Sequence, residues 1–437
     1  MPSKIKKHKD AFVWIWLPGE TGPVVAGKLT AEGSNLAFNY GQSYLERENK
    51  IALYDRELPL QAGMIPLLDG LTMPGCIRDG APDAWGRRVL INKKFGTTGG
   101  TIDDIQLDEL TYLLESGSDR IGALDFQLSP TEYQPRFAAN ATLAELLSSA
   151  ELVEKGVPLP PELNVALYHG SPIGGARPKA LIEDHNKKYI AKFSSTTDVY
   201  SVIKAEFIAM RLAQIGGLNT APVHLKKASN KDVLLIERFD RVHTKKGWQR
   251  KAIVSALTLF ELDEMMARYA SYETLAEKVR QGFKDASLTL KELFQRLVFN
   301  VLVGNTDDHA RNHAAIWDGH MLSLTPAYDI CPQARTGNVA TQAMLISGNN
   351  NKSQITSCLT ASSQFLLSRQ QALQLVENQI KSIVENWNTV CDLAEVEPVD
   401  RKLFATRQFL NPYAFENLDE DTRHLEEYMR AFKAPQH

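Results

Sequence analysis

The stretch from Asn305 to Asp329 constrains this chain more than any other. It reads Asn-Thr-Asp-Asp-His-Ala-Arg-Asn, then two short apolar runs, Ala314–Trp317 and Met321–Leu324, and then Thr325-Pro326-Ala327-Tyr328-Asp329. Asp318-Gly319 between the two runs is a hairpin signal, so a second Asp follows just after a strand. Two carboxylates, Asp307 and Asp329, and the Asn312 amide converging around a hairpin make a hard-oxygen site suited to Mg²⁺ rather than zinc. Taken singly, each Asp is an ordinary turn or cap residue; their ordered combination is not.

The rest of the chain has to support such a site. Its 437 residues, 43% of them apolar, are enough for a large core divided over two or three lobes. Lys plus Arg number 49 against 52 Asp plus Glu, a net charge of −3 with no long-range pull toward polyanions. DNA or RNA is therefore not expected as a direct partner. Cys76, Cys331, Cys358 and Cys391 form no Cys-x-x-Cys pair, which argues against a zinc ribbon and a disulfide framework and fits a reducing cytoplasm. The Lys4–Lys9 cluster before Ala11–Leu17 imitates a signal peptide. The apolar run stops at Pro18-Gly19 without a small-residue cleavage pattern, so it reads as a buried strand. No run approaches the roughly 18 apolar residues of a membrane span, and a soluble, unprocessed cytoplasmic protein is expected.

Residues 10 to 65 read as short strands with turns, with more helical text from Asp83 onward. Apolar spacing predicts helices over 108–114 and 142–154, and the prolines of 157–161 break the pattern. Strand signals follow at Ala180–Ile182, Tyr189–Phe193, Val223–Lys226 and Val233–Phe239, with one helix, Val202–Ile215, inserted between them. After residue 250 the text is mainly helical, with a loop over 337–353. The division expected is 1–105 as an N-terminal subdomain, 106–245 as the remainder of an N-lobe with a nucleotide-binding sheet, and 246–437 as a helical C-lobe. The fold class is α+β.

Phosphoryl transfer from ATP needs phosphates held, metal charge supplied and an acceptor hydroxyl oriented, and each requirement has a candidate. Asp307 followed five positions later by Asn312 has the spacing of a kinase catalytic loop, where the Asp accepts the hydroxyl proton and the Asn binds magnesium. Lys192 is the one cation in an apolar strand, where it is costly without a partner and would grip phosphates; a solvent-facing edge-strand Lys is the plainer alternative. Glu206 on the next helix is placed to pair with it, or else to face water. Gly174, Gly175 and Ala176, with Lys179 after them, lie in a glycine-rich loop one strand before Lys192. Such a loop admits phosphate oxygens to its N–H groups, and a plain turn is equally compatible. Backbone groups around Glu237, with the Phe239 ring, suit an adenine; solvated charges at a strand exit are the alternative. His309 and His313 stand four apart without a His-Glu-x-x-His order or a third ligand, so His309 is assigned to the loop or to phosphate, not to zinc.

These motifs resemble the HipA family, the serine/threonine kinase toxins of bacterial toxin–antitoxin pairs. Gly-Gly-Ala-Arg-Pro-Lys at 174–179, Ile-Ala-Lys-Phe at 190–193, Glu-Arg-Phe-Asp-Arg at 237–241 and the two segments of 305–329 occur in the family's order. The segment 79–88, Asp-Gly-Ala-Pro-Asp-Ala-Trp-Gly-Arg-Arg, resembles its N-terminal subdomain. The resemblance implies a two-lobed protein-kinase-like fold with an additional N-terminal mixed subdomain and a mainly helical C-terminal lobe. It implies Asp307 as base, Asn312 and Asp329 as magnesium ligands, Lys192 on phosphate, His309 and Tyr328 lining the nucleotide site, and Glu237 to Phe239 at the adenine.

The resemblance further implies ATP and Mg²⁺ as cofactors and a protein substrate, in known members an aminoacyl-tRNA synthetase, whose phosphorylation arrests growth. A helix-turn-helix antitoxin is the implied partner, through which alone DNA is reached; no membrane partner is implied. The family's regulatory serine would fall on position 172, which is Pro172 here, and its neighbour Ser171 takes the place of the autophosphorylation site. Two other readings are a catalytically silent antitoxin-binding corepressor, which the intact Lys192, Asp307, Asn312 and Asp329 oppose, and a small-molecule kinase, which the large N-terminal part opposes.

Overall fold

The computed structural model describes residues 8–95, 107–137, 141–160, 175–335 and 337–433. They cluster into two compact units, one of 1–198, 226–254 and 316–320, the other of 199–225, 255–315 and 321–437.

The first unit is built on two antiparallel sheets. In the N-terminal one, Asp10–Ile15 lies between Val24–Glu32 and Leu124–Gln127, and Asn35–Tyr40 and Met64–Ile65 complete the edge. The apolar run expected to be a buried strand is that central strand: Ala11, Val13 and Ile15 are buried. The second sheet has the order Lys179–Asp184, Lys187–Phe193, Lys231–Glu237, Val223–Ala228.

Strand alternation decides what each face of that second sheet does. Tyr189, Ala191, Phe193, Val233 and Leu235 pack with Trp85 and Val89 of helix Ala84–Phe95 and with Leu146, Leu147 and Val153 of helix Leu143–Glu154. That second helix starts at a capping box between Thr142 and Glu145, which satisfies its first N–H groups. Ile190, Lys192, Leu234 and Ile236 belong to the opposite face, since side chains alternate along a strand. The strand expected to reach Phe239 ends at Glu237.

The second unit is mainly helical. Helices Val202–Ile215, Ala286–Val303 and Arg369–Leu393 carry its core, and the fully buried Trp387 packs edgewise on Phe432 at 5.1 Å and tilted on Phe409 at 4.8 Å. Helix Ala286–Val303 stops at Gly304, whose φ of 71° is left-handed and where a Cβ would meet the Gln408 carbonyl oxygen at 2.8 Å. Only glycine fits there, and the turn it makes releases the chain into Asn305. The 337–353 stretch holds isolated bridges and turns but no helix or strand, as its composition predicts. Among the described residues no helix is long and apolar enough to cross a membrane.

Candidate active site

The residues singled out from sequence fall into two groups, each inside one unit. Gly175, Ala176, Lys179, Lys192, Glu237 and Phe239 are in the first unit; Asp307, His309, Asn312, Tyr328 and Asp329 are in the second. Ser171 and Gly174 lie outside the described residues.

In the first unit, the end of the glycine-rich loop is fastened to the start of helix Ala84–Phe95. The Gly175 N–H donates to Asp83 Oδ2 at 2.8 Å, the Trp85 N–H donates to the Gly175 carbonyl at 3.0 Å, and the Trp85 indole N–H donates to the Lys179 carbonyl at 2.9 Å. Gly175 has φ of 91°, a left-handed conformation that favours glycine, and a Cβ there would displace the Lys179 ammonium. Asp83 and Trp85 were visible in the 79–88 motif, but nothing local shows that they reach a loop some 90 residues on.

Lys179 and Lys192 are directly opposite each other in the strand pair, hence on one face of the sheet, and both are buried, 8% and 6% exposed. The solvent-facing alternative for Lys192 is thereby excluded. Two cations opposed in this way put positive charge on one face of the sheet, which suits a polyanion. Glu206 is likewise buried, within helix Val202–Ile215 of the second unit, rather than on a wet helix face.

The Glu237–Arg241 motif divides its labour. The Glu237 carboxylate accepts from the Lys187 ammonium at 2.6 Å, and Phe239 is half-buried just past the strand end. Arg238, Asp240 and Arg241 turn into a buried ion cluster with Asp119: Asp240 accepts from Arg238 at 2.8 Å, from Arg241 at 2.9 Å and from the Gly122 N–H at 2.8 Å. Burial opposes ionisation of Asp240, but Arg238 and Arg241 prevail and hold its carboxyl at about 2. Arg250 joins them, its guanidinium 3.4 Å from the Trp16 ring centroid. Solvated charges at a strand exit are therefore the wrong description of this segment.

In the second unit the catalytic-loop candidates are held by their own backbone. The His309 N–H and the Asn312 side-chain Nδ2 both donate to the Asp307 carbonyl at 2.9 Å, and the Asn312 N–H donates to the His309 carbonyl at 2.8 Å. With its Nδ2 engaged, Asn312 presents Oδ1. The Tyr328 hydroxyl donates to the Arg311 carbonyl at 2.8 Å, tying the segment after the hairpin to the loop before it. Asp329 sits at φ of 59°, a left-handed conformation that Asp tolerates better than most residues and that is common at functional sites.

Asp307 faces solvent while Asp308 beside it is buried. Although exposed at its edge, the Asp307 carboxyl is partly shielded from water by the loop around it, which pushes it above the usual carboxylate range; His309 opposes the rise, and the negative charges of Asp329 and Asp308 add to it. The hairpin thus brings Asp329 into the field of Asp307, as the spacing predicted. His309 Nδ1 is buried without a hydrogen-bond partner among the described residues. The described residues hold no cluster of three or more His, Cys, Asp and Glu, so a cation here would take few protein ligands, with the Asn312 amide and the Asp329 carboxylate as the candidates.

With this geometry in place, the comparisons with known proteins are specific. A model of the HipA N-terminal domain matches residues 16–127, and a model of the HipA-like C-terminal domain matches residues 171–387. A Sinorhizobium fredii protein with a provisional kinase name is 27% identical over 154 residues, 33% of this chain and 34% of that protein. The serine/threonine-protein kinase toxin HipA of Shewanella oneidensis is 24% identical over 208 residues, 41% of this chain and 48% of the relative. The chain thus aligns with less than half the length of these curated relatives. In three dimensions it superposes on a chain of the Shewanella oneidensis HipA, HipB and operator DNA complex with a TM-score of 0.62, covering 97% of this chain and 96% of that one at 17% identity. The fold is therefore the α+β, kinase-like fold of that protein.

Proposed function

The chain belongs to the HipA family, and on that premise we propose that it is an ATP-dependent serine/threonine protein kinase acting as the toxin of a toxin–antitoxin pair. The observation that carries this reading is the loop geometry: the His309 N–H and the Asn312 side-chain amide both donate to the Asp307 carbonyl at 2.9 Å, holding the Asp307 and Asn312 side chains on one short loop.

Asp307 accepts the proton of an acceptor hydroxyl. Its raised pKa moves it toward the operating pH, where a general base is most effective. Asn312, through Oδ1, and Asp329 are the residues that would hold magnesium, which when bound neutralises charge on the phosphate oxygens. Gly175, Ala176, Lys179 and Lys192 bind phosphate, the two lysines standing opposite each other on one face of the sheet. His309, whose Nδ1 lacks a partner among the described residues, and Tyr328 line the nucleotide site, and Glu237 and Phe239 meet the adenine.

The acceptor, by analogy with the family, is an aminoacyl-tRNA synthetase, and the consequence is growth arrest in the cytoplasm. A helix-turn-helix antitoxin neutralises the kinase, and DNA is reached through it; Ser171 is the proposed site of autophosphorylation. We retain the division into 1–105, 106–245 and 246–437.

The test is to incubate the pure protein with labelled ATP, Mg²⁺ and a cell extract, beside Asp307→Ala. Labelled protein bands are expected with the wild type only. Equal labelling by both proteins, or none by either, overturns the kinase reading.

A further inference from the structure

The loop carries a second set of side chains at the same five-residue separation as Asp307 and Asn312. Asp308 and His313 are one position further on, and both are buried, 1% and 3% exposed. The His313 Nε2 is 2.8 Å from Asp308 Oδ1, and the Tyr272 hydroxyl donates to Asp308 Oδ2 and lies 3.2 Å from His313 Nε2. Tyr272 is fully buried at the first turn of helix Tyr272–Gly282, far away in sequence.

That helix start is itself fixed. The Ser271 side chain caps it by accepting from the Thr274 N–H, and the Tyr272 N–H donates to the Leu345 carbonyl at 2.9 Å. His313 is also tied through its backbone, its carbonyl accepting from the Ala256 N–H at 2.8 Å. A rigid phenol therefore grips the residue next to the proposed base and, through the same carboxylate, the residue next to the proposed metal ligand. Neither proposed role, base or metal ligand, uses Tyr272 or His313, and Asp308 enters the base role only through its charge.

We propose that Tyr272 is a positioning residue for phosphoryl transfer: through Asp308 and His313 it holds both ends of the catalytic loop and so sets the separation of Asp307 from Asn312. The proposal rests on the kinase reading for its effect on rate, and on geometry alone for its effect on the loop. Misplacing a reacting group by an ångström costs on the order of a hundredfold. Tyr272→Phe keeps the ring packing and removes only the hydroxyl, and Asp308→Asn removes the charge that both partners address.

Two measurements test it. In single-turnover transfer of labelled phosphate from ATP with Mg²⁺ onto proteins of a cell extract, scored per folded molecule, Tyr272→Phe is expected to slow the rate constant about tenfold to a hundredfold with unchanged ATP affinity. Asp308→Asn should do the same, and the double variant should be no slower than the worse single one, because the residues act as one unit. In hydrogen exchange read on peptides spanning 305–313, Tyr272→Phe should lose protection at the His309 and Asn312 amides whether or not the protein transfers phosphate. Unchanged protection, wild-type rate in Tyr272→Phe, or additive losses in the double variant overturn the proposal. If Asp307→Ala is as active as wild type while protection still falls in Tyr272→Phe, the kinase reading fails and the positioning role stands.

Discussion

Around Asp240 in the first unit opposite charges interleave, whereas around Asp307 in the second unit like charges crowd. Every nitrogen of Arg238 and Arg241 meets an oxygen, from Asp119, Asp240 or the carbonyls of Asp119, Arg120, Gly122 and Asp240. Near Asp307 the neighbours are the Asp308 carboxylate, that of the left-handed Asp329, and a histidine nitrogen without a partner among the described residues. A satisfied cluster is complete and can only be structural. Carboxylates gathered at one loop instead invite a cation and a phosphate, which is the signature of a site rather than a staple.

The contrast can be broken most severely at the staple. Asp240→Ala leaves Arg238 and Arg241 buried with half their carboxylate, and should cost about 3–5 kcal/mol in denaturant unfolding. The wild type should show the matching pH dependence. The folded carboxyl at about 2 lies below its unfolded value, so the stabilisation is present above about pH 4 and is lost as pH falls toward 2. If Asp240→Ala unfolds like the wild type, the cluster is not structural.

Next in size is the effect of metal. Mg²⁺ at a hundred times its dissociation constant should stabilise the wild type by about 2.7 kcal/mol, raising the melting temperature, and EDTA should reverse it. Asp329→Asn should abolish the response, and an undiminished response would remove Asp329 from the metal site.

The smallest effect runs in the opposite direction from the staple. A raised carboxyl is penalised when ionised, and solvent screens most of that penalty at an exposed group, so Asp307→Asn should raise the melting temperature only slightly near pH 7.5 while abolishing transfer. Below about pH 4, where the acid is protonated in both states, the gain should vanish. A destabilised Asp307→Asn at neutral pH would mean that the site is already balanced, like the cluster at Asp240.

Much of both regions was legible before any coordinates. The helix Val202–Ile215 has its predicted bounds, because apolar spacing at three and four residues is a property of contiguous text. The hairpin over 314–324 follows from Asp318-Gly319 for the same reason, and it carries Asp329 toward Asp307. Charges were harder. Lys192 stood out as one cation in an apolar strand, but Lys179, across the strand pair, gained its meaning only from the register. Glu237–Arg241 read as a strand running on to meet an adenine, with a solvated strand exit as the alternative; Val233–Phe239 proved two residues too long, and the Arg238 guanidinium turns to Asp119, 119 residues away.

The sequence by itself determined the family and the order of the elements and singled out Asp307, Asn312 and Asp329 as candidates, since all of these are written in short segments with fixed spacing. Only the tertiary structure decided which charges are paired. It set Asp240 among arginines, Lys179 against Lys192, Asp83 and Trp85 under the glycine loop, and Tyr272 beneath Asp308 and His313. Each of these depends on residues that meet across long stretches of chain, where burial, and not neighbourhood in sequence, sets the cost of leaving a charge alone.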